Sequence, residues 1–212
     1  MQGSPPAATA PPTRPDLSPG ARRPSRGGWA TLAVLGVIMT VVLGGYFTAA
    51  ALSEPTGSAV EVAGIVRVRP LSGWAVADRG SLAGRPFVHL TRGSGNLVVV
   101  AFGGLGGDVI SLARGYADLL SGELSQLSVS QPRTVRLDSG SGSSSGSGLA
   151  GVRFGYVGVV AGTGTSIEGE VTAVLAPSGD GVVFEGWAPA GVLSFVLSDI
   201  ESMIERAEVG GG

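Results

Sequence analysis

The sequence predicts an α+β fold with a mainly antiparallel sheet, preceded by a single transmembrane helix. Three observations predict it. An uncharged apolar run fills residues 29–52, period-two alternation recurs from residue 60 onward, and two longer stretches switch to apolar steps of three and four. Most connections between the alternating segments are short and rich in turn residues, so the strands are expected to pair as hairpins rather than through βαβ crossovers.

At 212 residues the chain has room for one ordinary domain and an appendage. Hydrophobic residues make up 43% of it and charged residues only 14%, a balance that points to a membrane segment beside a globule. Residues 1–28 hold more than half of the thirteen prolines and no aromatic residue. Such a stretch buries too little apolar surface to fold alone and is expected to be a disordered Pro/Arg-rich cytoplasmic tail.

The apolar run of residues 29–52 is long enough to cross about 30 Å of hydrocarbon as a helix. Arg14, Arg22, Arg23 and Arg26 precede it against a single Asp16, and the next charges after it are Glu54 and Glu61. Positive flanks stay on the cytoplasmic side, so the expected topology is N-terminus inside and everything after residue 52 outside the plasma membrane. Trp29 and Tyr46 then fall near the two interfaces. The competing account is a cleaved signal peptide, for which Ala49, Ala50 and Ala51 supply a small-residue cleavage site. Against it, the run exceeds the ~7 to 15 residues of a signal core, and the leader before it is long and Pro-rich.

Residues 53–59, with Glu54, Pro55 and Gly57, read as a linker, and residues 60–208 as an extracytoplasmic α+β domain. In VEVAGIVRV, Val60, Val62, Val66 and Val68 face one way and Glu61, Arg67 and Arg69 the other, as in a half-buried strand. An extended piece through Gly73, Trp74 and Val76 is followed by a loop containing Gly80, Gly84 and Pro86. Residues 87–92 and 97–102 read as strands around a Gly-Ser-Gly-Asn turn. Val109, Leu112, Tyr116, Leu119, Leu120, Leu124 and Leu127 then mark one face of an amphipathic helix capped by Asp108.

Residues 133–138 read as a short strand, and the Gly/Ser run 139–148 as a flexible loop within a hairpin. The return strand covers 149–160, with Val152, Phe154, Tyr156 and Val160 on one side. Ile167, Val171, Ala173 and Leu175 oppose Glu168, Glu170 and Thr172 in the next strand. Pro177 to Gly181 turns the chain into a strand over 182–188. A closing helix near 191–207 places Leu193, Val196, Ile200, Met203, Ile204 and Ala207 on one stripe.

Several motifs that would carry chemistry fail on inspection. The stretch from Gly104 reads Gly-Leu-Gly-Gly-Asp-Val, which ends a dinucleotide fingerprint on Val109 where the third glycine belongs. A P-loop needs a lysine, and the chain has none. Asp108 also puts negative charge where a phosphate would sit, so a strand-to-helix turn is the better account. Gly142 to Gly146 matches G-x-S-x-G only because its surroundings are all Gly and Ser. His89, the only histidine, lies mid-strand with no acid partner assignable by spacing. With no cysteine there is no lipidated thiol, disulfide or thiolate metal site. No cofactor or metal is expected.

Glu168 and Glu170 on one strand and Glu185 on the next are paired carboxylates that suit either a cation or, more commonly, a solvated sheet face. Trp74 reads as core, whereas Trp187 beside Glu185 reads as partly exposed. Trp187, Glu185, Glu168 and Glu170 are the candidate interaction residues. Beyond residue 52 the acidic residues outnumber the arginines by about five, which argues against nucleic acid as a partner.

The order of elements over residues 60–208 resembles the PsbP-like fold family, which takes in the photosystem subunit PsbP, Mog-type Ran-binding factors and mycobacterial envelope proteins of the LpqN kind. The likeness rests on a first strand ending in Pro70-Leu-Ser-Gly73-Trp74, the hairpin into 97–102 and the long helix from Asp108. Arg153-Phe-Gly-Tyr156, Gly169-Glu-Val-Thr172, Gly181-Val-Val-Phe184 and a final helix complete it. The resemblance implies an αβα sandwich and a role in binding or assembly rather than turnover. It carries over no site residues, and the chain departs from the lipoprotein relatives in lacking a lipidated cysteine. The expected function is that of a membrane-anchored accessory domain binding an envelope protein. A small-molecule or lipid-binding domain is the alternative, and an envelope hydrolase using His89 ranks last.

Overall fold

A computed structural model describes residues 58–137 and 148–210, and the expected tail, membrane span and most of the Gly/Ser loop lie outside the described residues. Among the described residues no helix is long and apolar enough to cross a membrane. The described residues form eleven strands and two α-helices in the order β1 Val60–Val62, β2 Val66–Val68, β3 Ala75–Leu82, β4 Arg85–Arg92, β5 Gly95–Phe102, α1 Val109–Glu123 and β6 Leu124–Val129. They continue with β7 Arg133–Leu137, β8 Leu149–Val160, β9 Ser166–Leu175, β10 Gly181–Pro189, a 3₁₀ turn Leu193–Phe195, α2 Leu197–Glu205 and β11 Glu208–Val209.

The main sheet has the order β3-β4-β5-β10-β9-β8, with β6 and β7 sharing the outer edge of β8, and every pairing is antiparallel. Alternation sends side chains to its two faces in turn. One face takes Val100, Phe102, Phe154, Val171 and Val183 beneath Leu112, Tyr116 and Leu120 of α1. The other takes Leu90, Leu97, Val99, Val182 and Phe184 beneath Ile200, Met203 and Ile204 of α2. A small sheet of order β1-β2-β11 shares that second layer. The fold is therefore α+β, with a helix on each face of an antiparallel sheet.

Four details differ from the sequence expectation. VEVAGIVRV is a hairpin and not one strand, because Ala63 and Gly64 both take positive φ and Val62 pairs with Val66. All four valines still reach the core, since both arms of the hairpin present the same face. The expected loop around Gly80 is strand on both sides of a tight turn at Ala83 and Gly84. The helix capped by Asp108 stops at Glu123, so Leu124 and Leu127 belong to a strand, and Leu119 is exposed. The closing helix is split into the 3₁₀ turn and α2.

Asp108 caps α1 as its position suggests. Its carboxylate accepts from the Ser111 backbone N–H at 2.8 Å and from the Ser111 hydroxyl at 2.9 Å, which holds its pKa below the ordinary value.

Candidate functional site

Strand register lines up two rows of side chains on the α1 side of the sheet. The first runs Tyr156, Gly169, Trp187, Asn96, Thr91 across β8, β9, β10, β5 and β4. The second, one step further in, runs Phe154, Val171, Glu185, Val98, His89 across the same strands. Helix α1 packs over the β8, β9 and β10 part of this face. Trp187, Asn96, Thr91 and Val98, towards the other side, are half-buried.

Under α1 lies a polar cluster inside the core. The Glu185 carboxylate accepts one hydrogen bond from the Tyr116 hydroxyl of α1 at 2.6 Å and another from the Tyr156 hydroxyl of β8 at 2.5 Å. Burial raises the Glu185 pKa, and the two tyrosine donors pull it back. Burial, then the charge of Glu185, pushes both tyrosines well above their ordinary value, so they stay protonated as donors. Glu123, at the end of α1, is pushed up to about 7 by burial and by the charge of Glu185. With both carboxylate oxygens engaged by short bonds, Glu185 is poorly placed to act as a base or nucleophile. Its role is to tie α1 to the sheet.

His89 is buried between Val98 and the first row, and its Nε2 lies 3.0 Å from Asn96 Oδ1. The Asn96 amide donates to the Ser94 and Trp187 carbonyls at 2.9 and 3.5 Å, which fixes its oxygen towards the imidazole. Nε2 therefore carries the proton, and Nδ1 presents a buried lone pair with no donor among the described residues. Burial lowers the pKa of His89, partly offset by the Asn96 bond and the charge of Asp78, so the ring is neutral at physiological pH.

The four candidate interaction residues fall on opposite faces. Trp187 is half-buried and Glu185 fully inside, both on the α1 side. Glu168 and Glu170 point to the α2 side and do structural work. Glu168 accepts from the Gly191 and Leu193 backbone N–H groups at 2.9 and 3.0 Å, holding the entry to the 3₁₀ turn. Glu170 pairs with buried Arg153 at 3.2 Å and with Arg133 at 3.2 Å, and Arg153 reaches on to Thr172 and to Glu201 of α2. The three carboxylates thus form no common site, because Glu170 sits opposite Gly186 and Glu185 one residue away points through the sheet. Among the described residues no group of three or more His, Asp or Glu is arranged to hold a metal ion.

The glycine turn after β5 has Gly104 and Gly106 at positive φ, and the Gly104 N–H is taken by the Asp180 carboxylate at 2.9 Å. That amide serves the fold. Tyr116, Tyr156, Glu123 and Asn96 were not singled out from sequence as a site. One signal was available, since Glu123 follows Tyr116 by seven residues and so interrupts the apolar stripe of the helix with an acid.

No protein-family model and no curated protein matches the chain. The fold is similar to that of three solved structures. The cyanobacterial PsbP of Synechocystis aligns at a TM-score of 0.50 and 12% identity, over 75% of this chain and 95% of that one. The Ran-binding protein Mog1p of Saccharomyces cerevisiae aligns at 0.49 and 12%, over 73% and 96%. LpqN of Mycobacterium tuberculosis, described as involved in cell envelope biogenesis, aligns at 0.48 and 14%, over 74% and 86%. The alignment with the cyanobacterial PsbP identifies the fold as PsbP-like, and at this identity the likeness extends to the fold alone.

Proposed function

We propose that this PsbP-like domain is a membrane-anchored accessory module that binds an envelope protein outside the plasma membrane, with residues 29–52 as its anchor and the N-terminus in the cytoplasm. The apolar run and its arginine flank support the anchor. The observation that carries the binding role is the half-buried Trp187, standing in a row with Asn96 and Thr91 on the part of the sheet beyond α1. An indole held rigid by a central strand offers large contact area at little cost in side-chain freedom, as interface hot spots do. Glu185 and its tyrosines hold the floor beneath it.

The test is capture of partners from native membranes by full-length wild-type chain and by W187A. Loss of a partner from W187A, with its thermal unfolding unchanged, supports the role. Equal capture by both chains contradicts it.

A second reading, a small-molecule site on the same face, is favoured by the buried Nδ1 of His89, an acceptor that finds no donor among the described residues. Native mass spectrometry of purified full-length protein, showing an added mass that H89A loses, would favour it over protein binding.

A further inference from the structure

Phe195 is 79% exposed, the most open large apolar side chain among the described residues. It closes the 3₁₀ turn between β10 and α2. Register places that turn at the same end of the main sheet as the β4–β5 turn at residues 93–94 and the β8–β9 turn at residues 161–165, since Ile167 pairs with Pro189 and Trp187 with Asn96. The stretch 70–73 leads into Ala75, which pairs with Thr91 at this end as well.

The chain enters the domain here too. Val60 pairs with Val68, two residues before Pro70, whereas the β1–β2 turn points to the opposite end. There Ile65 accepts from the Gly210 N–H at 2.8 Å, and Gly210 lies against Ala176 and Pro177 of the β9–β10 turn. The two ends differ in charge. Residues 70–73, 93–94, 161–165 and 190–195 contain no charged side chain, while the far end carries Arg85, Asp108, Asp180 and Glu205. The charges just inside the entry end are Arg92 and Asp199, which pair with one another, Glu168, whose carboxylate accepts from the Gly191 and Leu193 N–H groups, Arg69, which pairs with Glu208, and the partly covered Glu123.

We propose that this uncharged end rests on the lipid bilayer, with Phe195 inserted in its interfacial zone. The inference rests on the anchor reading above. With residues 29–52 as the span, the seven residues 53–59 reach at most about 25 Å when fully extended, so the entry end is held beside the membrane surface. Uncharged loops lower the cost of approaching the headgroups, and a ring exposed to water gains by burial among acyl chains. The Trp187 row borders this end on the α1 side of the sheet, two residues from the β4–β5 turn.

The chain has no cysteine, so single substitutions take one label each. Full-length S194C and S178C, each carrying a fluorophore, would be reconstituted into phosphatidylcholine vesicles with quencher-bearing lipids and washed with alkaline carbonate. The expected result is several-fold stronger quenching at position 194 than at 178, lost in S194C/F195S. Equal, weak quenching at both positions in protein that survives the wash overturns the inference and leaves the anchor standing. Release of the protein by the wash overturns both.

Discussion

The ring of Tyr156 occupies the space that a side chain on Gly169 would need. A Cβ built on Gly169 would lie 2.5 to 2.6 Å from Cζ, Cε1 and the hydroxyl oxygen of Tyr156. The bare backbone of β9 lets the tyrosine lean across its neighbour and reach Glu185 in the adjacent row. G169A should therefore destabilise the domain by about 1 to 3 kcal/mol, as overpacking does. Combined with Y156A the same change should cost far less, and denaturant unfolding of the double-mutant cycle measures the coupling.

Removing one tyrosine donor leaves the buried Glu185 half satisfied. Y116F and Y156F should each cost about 1 to 3 kcal/mol, and Y116F/Y156F should depart from the sum because both act on one carboxylate. Thermal unfolding of the four proteins at pH 7 checks this. Additive losses would show that the cluster does not act as a unit.

Glu123 gives the domain a pH-dependent penalty. Its folded pKa of about 7 lies above its ordinary 4.5, so the folded state holds the proton more tightly than the unfolded chain. Stability from this group falls as pH rises from about 4.5 to 7, and the penalty is complete above that, on the order of 2 to 3 kcal/mol. E123Q should match wild type near pH 4 and exceed it at pH 8, as read from unfolding midpoints across that range. A gap that is constant with pH would contradict the assignment.

Ala83 adopts φ of +50° in the tight turn between β3 and β4, beside Gly84 at +79°. An alanine pays a steric penalty there that asparagine, a residue suited to this conformation, largely avoids. A83N should raise stability by roughly 0.5 to 1 kcal/mol without touching the sheet faces, measurable as a shift in urea midpoint.

The α+β class, the antiparallel sheet and the Asp108 cap were legible because alternation and capping are local signals. Val60, Val62, Val66 and Val68 were assigned to the core correctly although their strand is a hairpin, since a three-residue turn preserves which face each arm shows. The strand β6 was missed because Leu124 and Leu127 continue the helical spacing, and only pairing with β8 draws them out of it. Glu185 looked solvated because alternation gives its face but says nothing of what lies over it, and the covering tyrosine of α1 is 69 residues away in sequence. Phe195 was hidden beside Leu193 and Val196, whose stripe it follows without sharing.

The account's central claim is that the Trp187 row meets a protein. A photo-reactive residue placed at position 91, in the same row and with Trp187 intact, in the full-length chain in living cells, with position 178 as control, tests it directly. The account predicts a defined protein adduct from 91 and none from 178. No adduct from 91 in a chain that is folded and membrane-bound would contradict it.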